Sequence, residues 1–164
     1  MRRTSGILGL VACAMLVLAC DSSTDAKITY GATMSGAKEV PQVTSSGTGT
    51  FAATLDPATN VLTYSFNWSG LNGNTTLSHI HGPATTAVSA GVLINFDAPN
   101  AGRTITLGAP SGTASGTVDL SLVTANVNVS GDSVHKLLDL GLLYVNIHSS
   151  VNGGGEIRGQ IVRQ

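Results

Sequence analysis

Thr48-Gly-Thr-Phe-Ala-Ala-Thr-Leu55, then Asp56-Pro57-Ala58-Thr59-Asn60, then Val61-Leu-Thr-Tyr-Ser-Phe-Asn-Trp68 is the stretch whose reading decides the fold. In both flanking runs apolar and polar side chains alternate with a period of two, the pattern of a strand buried on one face. The pentapeptide between them holds the Pro and Asn that favour a tight turn. The three pieces read as a β-hairpin, with Phe51, Leu55, Leu62, Tyr64 and Phe66 as core candidates.

Runs of the same kind extend outward from the hairpin. Ile28 to Met34, Leu77 to His81, Gly91 to Phe96, Gly112 to Leu120, Leu143 to His148 and Glu156 to Val162 are the further strand candidates. One strand plus turn takes roughly ten residues, the spacing of a sandwich or barrel. The expected fold is all-β, a Greek-key, immunoglobulin-like sandwich of about seven or eight strands. Leu93, Val118, Val145, Ile147 and Ile161 join the expected core, while Trp68, at a strand end, fits core or surface. One segment breaks the rhythm: Val134, Leu137 and Leu138 follow helical spacing, so residues 132–140 read as a short helix with Asp132 as N-cap.

Composition narrows the function classes. Eight basic residues against nine acidic ones, a formal charge of −1, exclude the basic surface that a nucleic-acid binder needs. An apolar fraction of 42% in a chain of almost no net charge is enough for a packed core, which argues against disorder. No Gly-x-Ser-x-Gly elbow, phosphate loop or His-Glu-x-x-His pair is present.

The N-terminus reads as an export signal rather than as fold. Arg2 and Arg3 precede an apolar stretch from Ile7 to Leu18, too short for a comfortable membrane span, and Val17-Leu18-Ala19-Cys20 has the form of a bacterial lipobox. The expectation is a signal peptide over residues 1–19, lipid on the Cys20 thiol, a polar tether through residue 27 and one domain over residues 28–164. Losing Arg2 and Arg3 takes the basic count from 8 to 6 against 9 acidic residues, a net −3. Cys13 leaves with the signal and Cys20 carries lipid, so no disulfide supports the domain. The expected location is the bacterial cell envelope, outside the cytoplasm and held to a membrane by lipid.

Chemistry concentrates at four places. His79-Ile80-His81 on a strand puts two imidazoles on one face, able to share a metal, and turns Ile80 to the other. Asn146-Ile147-His148 ends a strand just before the glycines 153–155, where backbone can approach a ligand closely. Glu156 and Arg158 share a strand face in a chain of few charges, as an ion pair or as a fixed charge beside an anion. Glu39, in Gly36-Ala37-Lys38-Glu39-Val40-Pro41, reads as an acceptor that pins its loop, and His135 as a solvated helix residue.

Four stretches together resemble the CHRD family, the domain first described as repeats in chordin. They are Ser35-Gly36-Ala37-Lys38-Glu39-Val40-Pro41, Ser78-His79-Ile80-His81-Gly82-Pro83-Ala84, Tyr144-Val145-Asn146-Ile147-His148-Ser149 and Gly154-Gly155-Glu156-Ile157-Arg158-Gly159-Gln160, in the family's order across residues 28 to 162. The layout is similar, more distantly, to the Cu/Zn superoxide dismutase sandwich. That likeness implies His79, His81 and His148 as copper ligands and Arg158 as a guide for an anion. The chain departs from it in lacking a fourth histidine to bridge two metals, a His and Asp cluster for zinc, and a disulfide.

Two functions follow from these readings. One is a non-catalytic binding or scaffold module for a protein or polysaccharide partner. The other is a module that binds copper or zinc through His79, His81 and His148, with Glu156 and Arg158 supporting the site and superoxide dismutase-like chemistry as its furthest extension.

Overall fold

The computed structural model describes residues 26–97, 103–123 and 131–164; the lipobox and Cys20 lie outside them. Ten strands follow in chain order: β1 (Ile28–Ser35), β2 (Thr48–Asp56), β3 (Val61–Ser69), β4 (Thr75–His81), β5 (Val92–Asn95), β6 (Thr104–Ile105), β7 (Gly112–Asp119), β8 (Tyr144–Ser149), β9 (Ile157–Gln160) and β10 (Val162–Arg163). Helix α1 (Gly131–Asp139) connects β7 to β8. The fold is all-β, one curled antiparallel sheet in the order β5-β4-β8-β9-β1-β2-β3-β7-β6, with β10 pairing β1. Sequence-distant neighbours such as β4 with β8 and β3 with β7 give it the crossing connections of Greek-key folds.

The hairpin forms as its sequence dictates. Leu55 pairs with Leu62, Phe51 with Phe66 and Gly49 with Trp68, so one face of β2 and β3 is continuously apolar. Asp56 Oδ1 accepts from the Ala58 N–H at 3.0 Å, and Asn60 takes the left-handed conformation (φ 56°) that closes the turn. Trp68 goes to the core, and its indole N–H donates to Thr75 Oγ1 at 2.7 Å, which removes the cost of burying it. All ten expected core residues are buried, and Phe96 joins them with its ring 4.5 Å from Tyr64 and 5.0 Å from Phe66.

Four details differ from the sequence reading. The helix begins at Gly131, so Asp132 lies within its first turn rather than before it. The last run divides into β9 and β10, because Ile161 turns into the core and donates its N–H to Leu143 O. Two-residue strands β6 and β10 are too short to leave a periodic signal, which raises the count above the expected seven or eight. On α1, His135 is half-buried and lies 3.5 Å from Asp139 rather than being simply solvated. Among the described residues no helix is long and apolar enough to cross a membrane.

Most strands bury one face, but β8 is buried at every position. It lies between β4 and β9, with Ile80, Val145, Ile147 and Ile157 in the core on one side. Over its other side folds the 82–91 segment, held by Ala84 N–H to Leu142 O (2.8 Å), Gly82 N–H to Gly91 O (3.3 Å) and Ser89 Oγ to Val40 O (2.8 Å). That covered outer face holds the polar cluster described next.

Candidate metal centre

Strand alternation puts His79 and His81 of β4, and Tyr144, Asn146 and His148 of β8, on the outer face. The register sets His79 opposite Asn146, His81 opposite Tyr144 and Leu77 opposite His148, while Arg158 lies beside Asn146 on β9. His79, His81 and His148 are each 7% exposed, and one ring nitrogen from each lies within 4.8 Å of the others. His79 Nδ1 is 3.0 Å from His148 Nε2.

Backbone carbonyls orient two of the rings. His148 Nδ1–H donates to Gly153 O (2.9 Å) and His81 Nδ1–H to Ala90 O (3.0 Å), so each presents the lone pair of Nε2 to the cluster. Histidine ligands are commonly held this way, by a hydrogen bond at the nitrogen away from the metal. In the metal-free cluster His79 Nδ1–H donates to His148 Nε2. A metal held by His79 Nδ1 would require that proton on the other ring nitrogen.

Burial resists charging two of the rings. Burial, then the neighbouring His148 and His81, pushes the His79 imidazole down to about 4. His81 is also lowered, chiefly by burial, against the opposing bonds to Ala90 and Asn146. Rings that resist protonation keep their lone pairs for a divalent cation, which neutral histidine ligands suit.

Surrounding side chains build the walls. The His81 ring stacks on Tyr144 with centroids 4.9 Å apart and planes within 4°, and the Arg158 guanidinium carbon sits 3.5 Å from the Tyr144 ring centroid. His81 reaches Tyr144 from β4 and Arg158 reaches it from β9, so the phenol ring lies between the arginine and the histidines. Arg158 is 1% exposed, and its Nη2 donates to Thr85 O at 2.9 Å. Glu39 is buried as well. Burial raises its carboxyl to about 7, against the lowering effects of Arg158 and of hydrogen bonds from Asn146 and the Val40 backbone.

Glu156 has a different task from Arg158, and no ion pair joins the two among the described residues. Its Oε1 accepts from Ser45 Oγ (2.6 Å) and the Asn72 N–H (2.5 Å), and its Oε2 from Ser149 Oγ. Burial opposes its ionisation, but the bonds from Ser149, Ser45, Asn72 and Asn152 outweigh burial and hold the carboxyl below its usual range. Ser149 Oγ in turn accepts from Val151 and Asn152 N–H, fixing the loop whose Gly153 carbonyl orients His148.

The three histidines singled out in the sequence therefore converge, and Glu156 and Arg158 stand around them rather than among them. Tyr144 and Asn146 escaped the sequence reading as site residues. Their signal was parity, since both stand an even number of positions before His148 on one strand.

The fold and cluster define an all-β sandwich domain with a buried three-histidine face. Residues 30–161 match the family model of the CHRD domain, and the chain belongs to that family. All four stretches that carried the resemblance contribute to this face: Glu39, His79 with His81, Tyr144 with Asn146 and His148, and Glu156 with Arg158. No curated protein and no solved structure matches the chain.

Proposed function

We propose that this chain is a lipid-anchored module of a bacterial cell envelope that binds one transition-metal ion, copper or zinc, through His79, His81 and His148. The observation that carries the reading is the convergence of three buried imidazole nitrogens within 4.8 Å. Burying three polar rings side by side costs stability unless each is hydrogen-bonded or ligated. The carbonyls of Gly153 and Ala90 hold the outward nitrogens of His148 and His81, and the inward nitrogens meet one another and Asn146. Val17-Leu18-Ala19-Cys20 supports the anchor. The reading is of binding rather than turnover, with Arg158 engaged by the Tyr144 ring and Thr85 O.

Calorimetric titration of copper and zinc into the purified protein tests it, beside a variant with His79, His81 and His148 all changed to Ala. One-to-one binding lost in the variant is expected. Absence of binding in the wild type, or equal binding by the variant, contradicts the reading.

A second reading, a non-catalytic module for a protein or polysaccharide partner, is favoured by a groove of about 900 Å³ on the same outer face. Thr33, Glu39, Thr50, Arg158 and Gln160 line it, and Arg158 Nη1 is buried there without a hydrogen-bond partner. A partner that binds the triple-alanine variant as tightly as the wild type supports this reading over the first.

A further inference from the structure

Arg158 lines the outer-face groove, together with Thr33, Lys38, Glu39, Thr50 and Gln160. The residue is 1% exposed, its guanidinium is held against the Tyr144 ring, and Nη2 donates to Thr85 O at 2.9 Å. Nη1 is buried with no hydrogen-bond partner. Among the described residues the ion pairs join Asp139 to His135 and to Arg163, and neither includes Arg158. The groove thus has a fixed, enclosed cation in its wall with no counter-ion in contact.

Burying a charge is costly unless it is paired, and an anion bound beside it lowers that cost. The other charges of the groove favour the same ligand. Lys38 stands exposed on the rim, its Nζ donating to Thr33 O at 2.6 Å. Glu39 is the only acid in the lining, and burial raises its carboxyl to about 7, so near neutrality it cancels only part of the positive charge. A carboxylate, with one negative charge, balances the guanidinium. A phosphate group, close to doubly charged, would set surplus charge against Glu39.

The groove continues into a row of exposed polar side chains. Thr33 is registered with Thr50 on β2, Thr50 with Asn67 on β3, and Asn67 with Thr113 on β7. All four are exposed, and Asn67 Nδ2 donates to Thr50 Oγ1 at 2.8 Å. At a strand spacing of about 4.8 Å, the row is about 14 Å long. Hydroxyl and amide groups set in line suit an extended chain of hydroxylated units. Every Phe, Tyr and Trp of the chain is buried, so neither groove nor row offers the exposed aromatic anchors that protein interfaces use. We infer that the groove binds a polysaccharide containing uronic acid units, with one carboxylate seated at Arg158 and neighbouring sugar hydroxyls along Thr33, Thr50, Asn67 and Thr113. The inference rests on the second reading above, whose polysaccharide partner it specifies by chemistry, and it requires no metal.

The test is calorimetric titration of the purified protein with oligomers of galacturonic, mannuronic and glucuronic acid, each beside its methyl ester, which keeps the shape and loses the charge. At least one uronate oligomer is expected to bind. Its ester should bind about tenfold to a hundredfold more weakly, the worth of one charge-assisted hydrogen bond. Arg158→Gln should lose affinity to the same degree. Changing so enclosed a residue can disturb the fold, so Lys38→Glu on the exposed rim is the second variant; it should weaken binding severalfold with an unchanged circular dichroism spectrum. Glu39→Gln, which removes the acid beside the guanidinium, should strengthen binding, and the triple-histidine variant should bind the uronate as tightly as the wild type. An ester that binds as well as its acid would overturn the uronate while leaving a neutral polysaccharide open to the second reading. Uronate binding unchanged in both Arg158→Gln and Lys38→Glu would overturn the site. No binding by any of the oligomers would overturn the inference and leave the second reading only a protein partner.

Discussion

The two faces of β4, β8 and β9 are buried almost equally but are built from opposite chemistry. On the core side Ile80, Val145, Ile147 and Ile157 are fully enclosed, and their burial supplies stability in proportion to the apolar area removed from water. On the outer side His79, His81, Asn146, His148 and Arg158 are enclosed to nearly the same degree, although burying polar groups contributes little or costs stability. One face therefore holds the fold together, and the other is carried by it. A sheet that needed only stability would present a half-exposed polar surface on its second side.

Several changes can break or sharpen that contrast. The largest effect is expected on the core face, where Ile147→Ala should cost about 2–5 kcal/mol in urea unfolding, the usual result of truncating a large enclosed side chain. A cost below 1 kcal/mol would mean that the core face is not what holds these strands. Next comes Gly155→Ala, which forces a side chain into a backbone with φ of 124° and against Glu39 and Asn146. Its expected cost is about 2 kcal/mol, with weakened metal binding. His79→Ala inverts the pattern. Unfolding of the metal-free protein should change by less than about 1 kcal/mol, because lost packing is offset by relief among the crowded rings, while metal binding is abolished.

The pH dependence of the metal-free protein separates two groups on the outer face. The His79 pKa falls from 6.5 when unfolded to about 4 when folded, so the unfolded state binds the extra proton and stability drops as pH falls from 6.5 toward 4. Glu39 behaves oppositely, rising from 4.5 to about 7 by burial, so its contribution is complete below pH 4.5 and is lost as pH rises through 7. In the wild type the two slopes oppose each other between pH 4.5 and 6.5. Glu39→Gln should remove the loss near neutrality and leave a profile that rises with pH up to about 6.5. An unchanged profile in that variant would contradict the assignment. The smallest effect is expected at the surface, where Arg163→Ala breaks an exposed pair with Asp139 (3.3 Å) and should cost about 0.5 kcal/mol or less.

Much of this was legible in the sequence because strand parity is a strong constraint. His-x-His and Asn-Ile-His fix which side chains share a face once the strands are known, and the alternation in β2 and β3 announces itself. Parity does not show what covers a face. Leu143 to His148 carries the alternation of polar and apolar residues expected of a half-exposed strand, yet every β8 position is buried, because the 82–91 segment folds over it through backbone hydrogen bonds that no side-chain pattern encodes. Glu156 and Arg158 share that parity and are nonetheless separated in function by their neighbours, loop hydroxyls for one and the Tyr144 ring for the other. Such partners come from loops distant in sequence, and pairwise spacing carries no trace of them.

The most direct measurement is anomalous diffraction at the copper edge from crystals of the copper-loaded protein. A single strong peak about 2.0–2.2 Å from one ring nitrogen each of His79, His81 and His148 is the predicted result. A peak at another position, such as beside His135 and Asp139, with no density among the three histidines would contradict the claim that this face is a metal site.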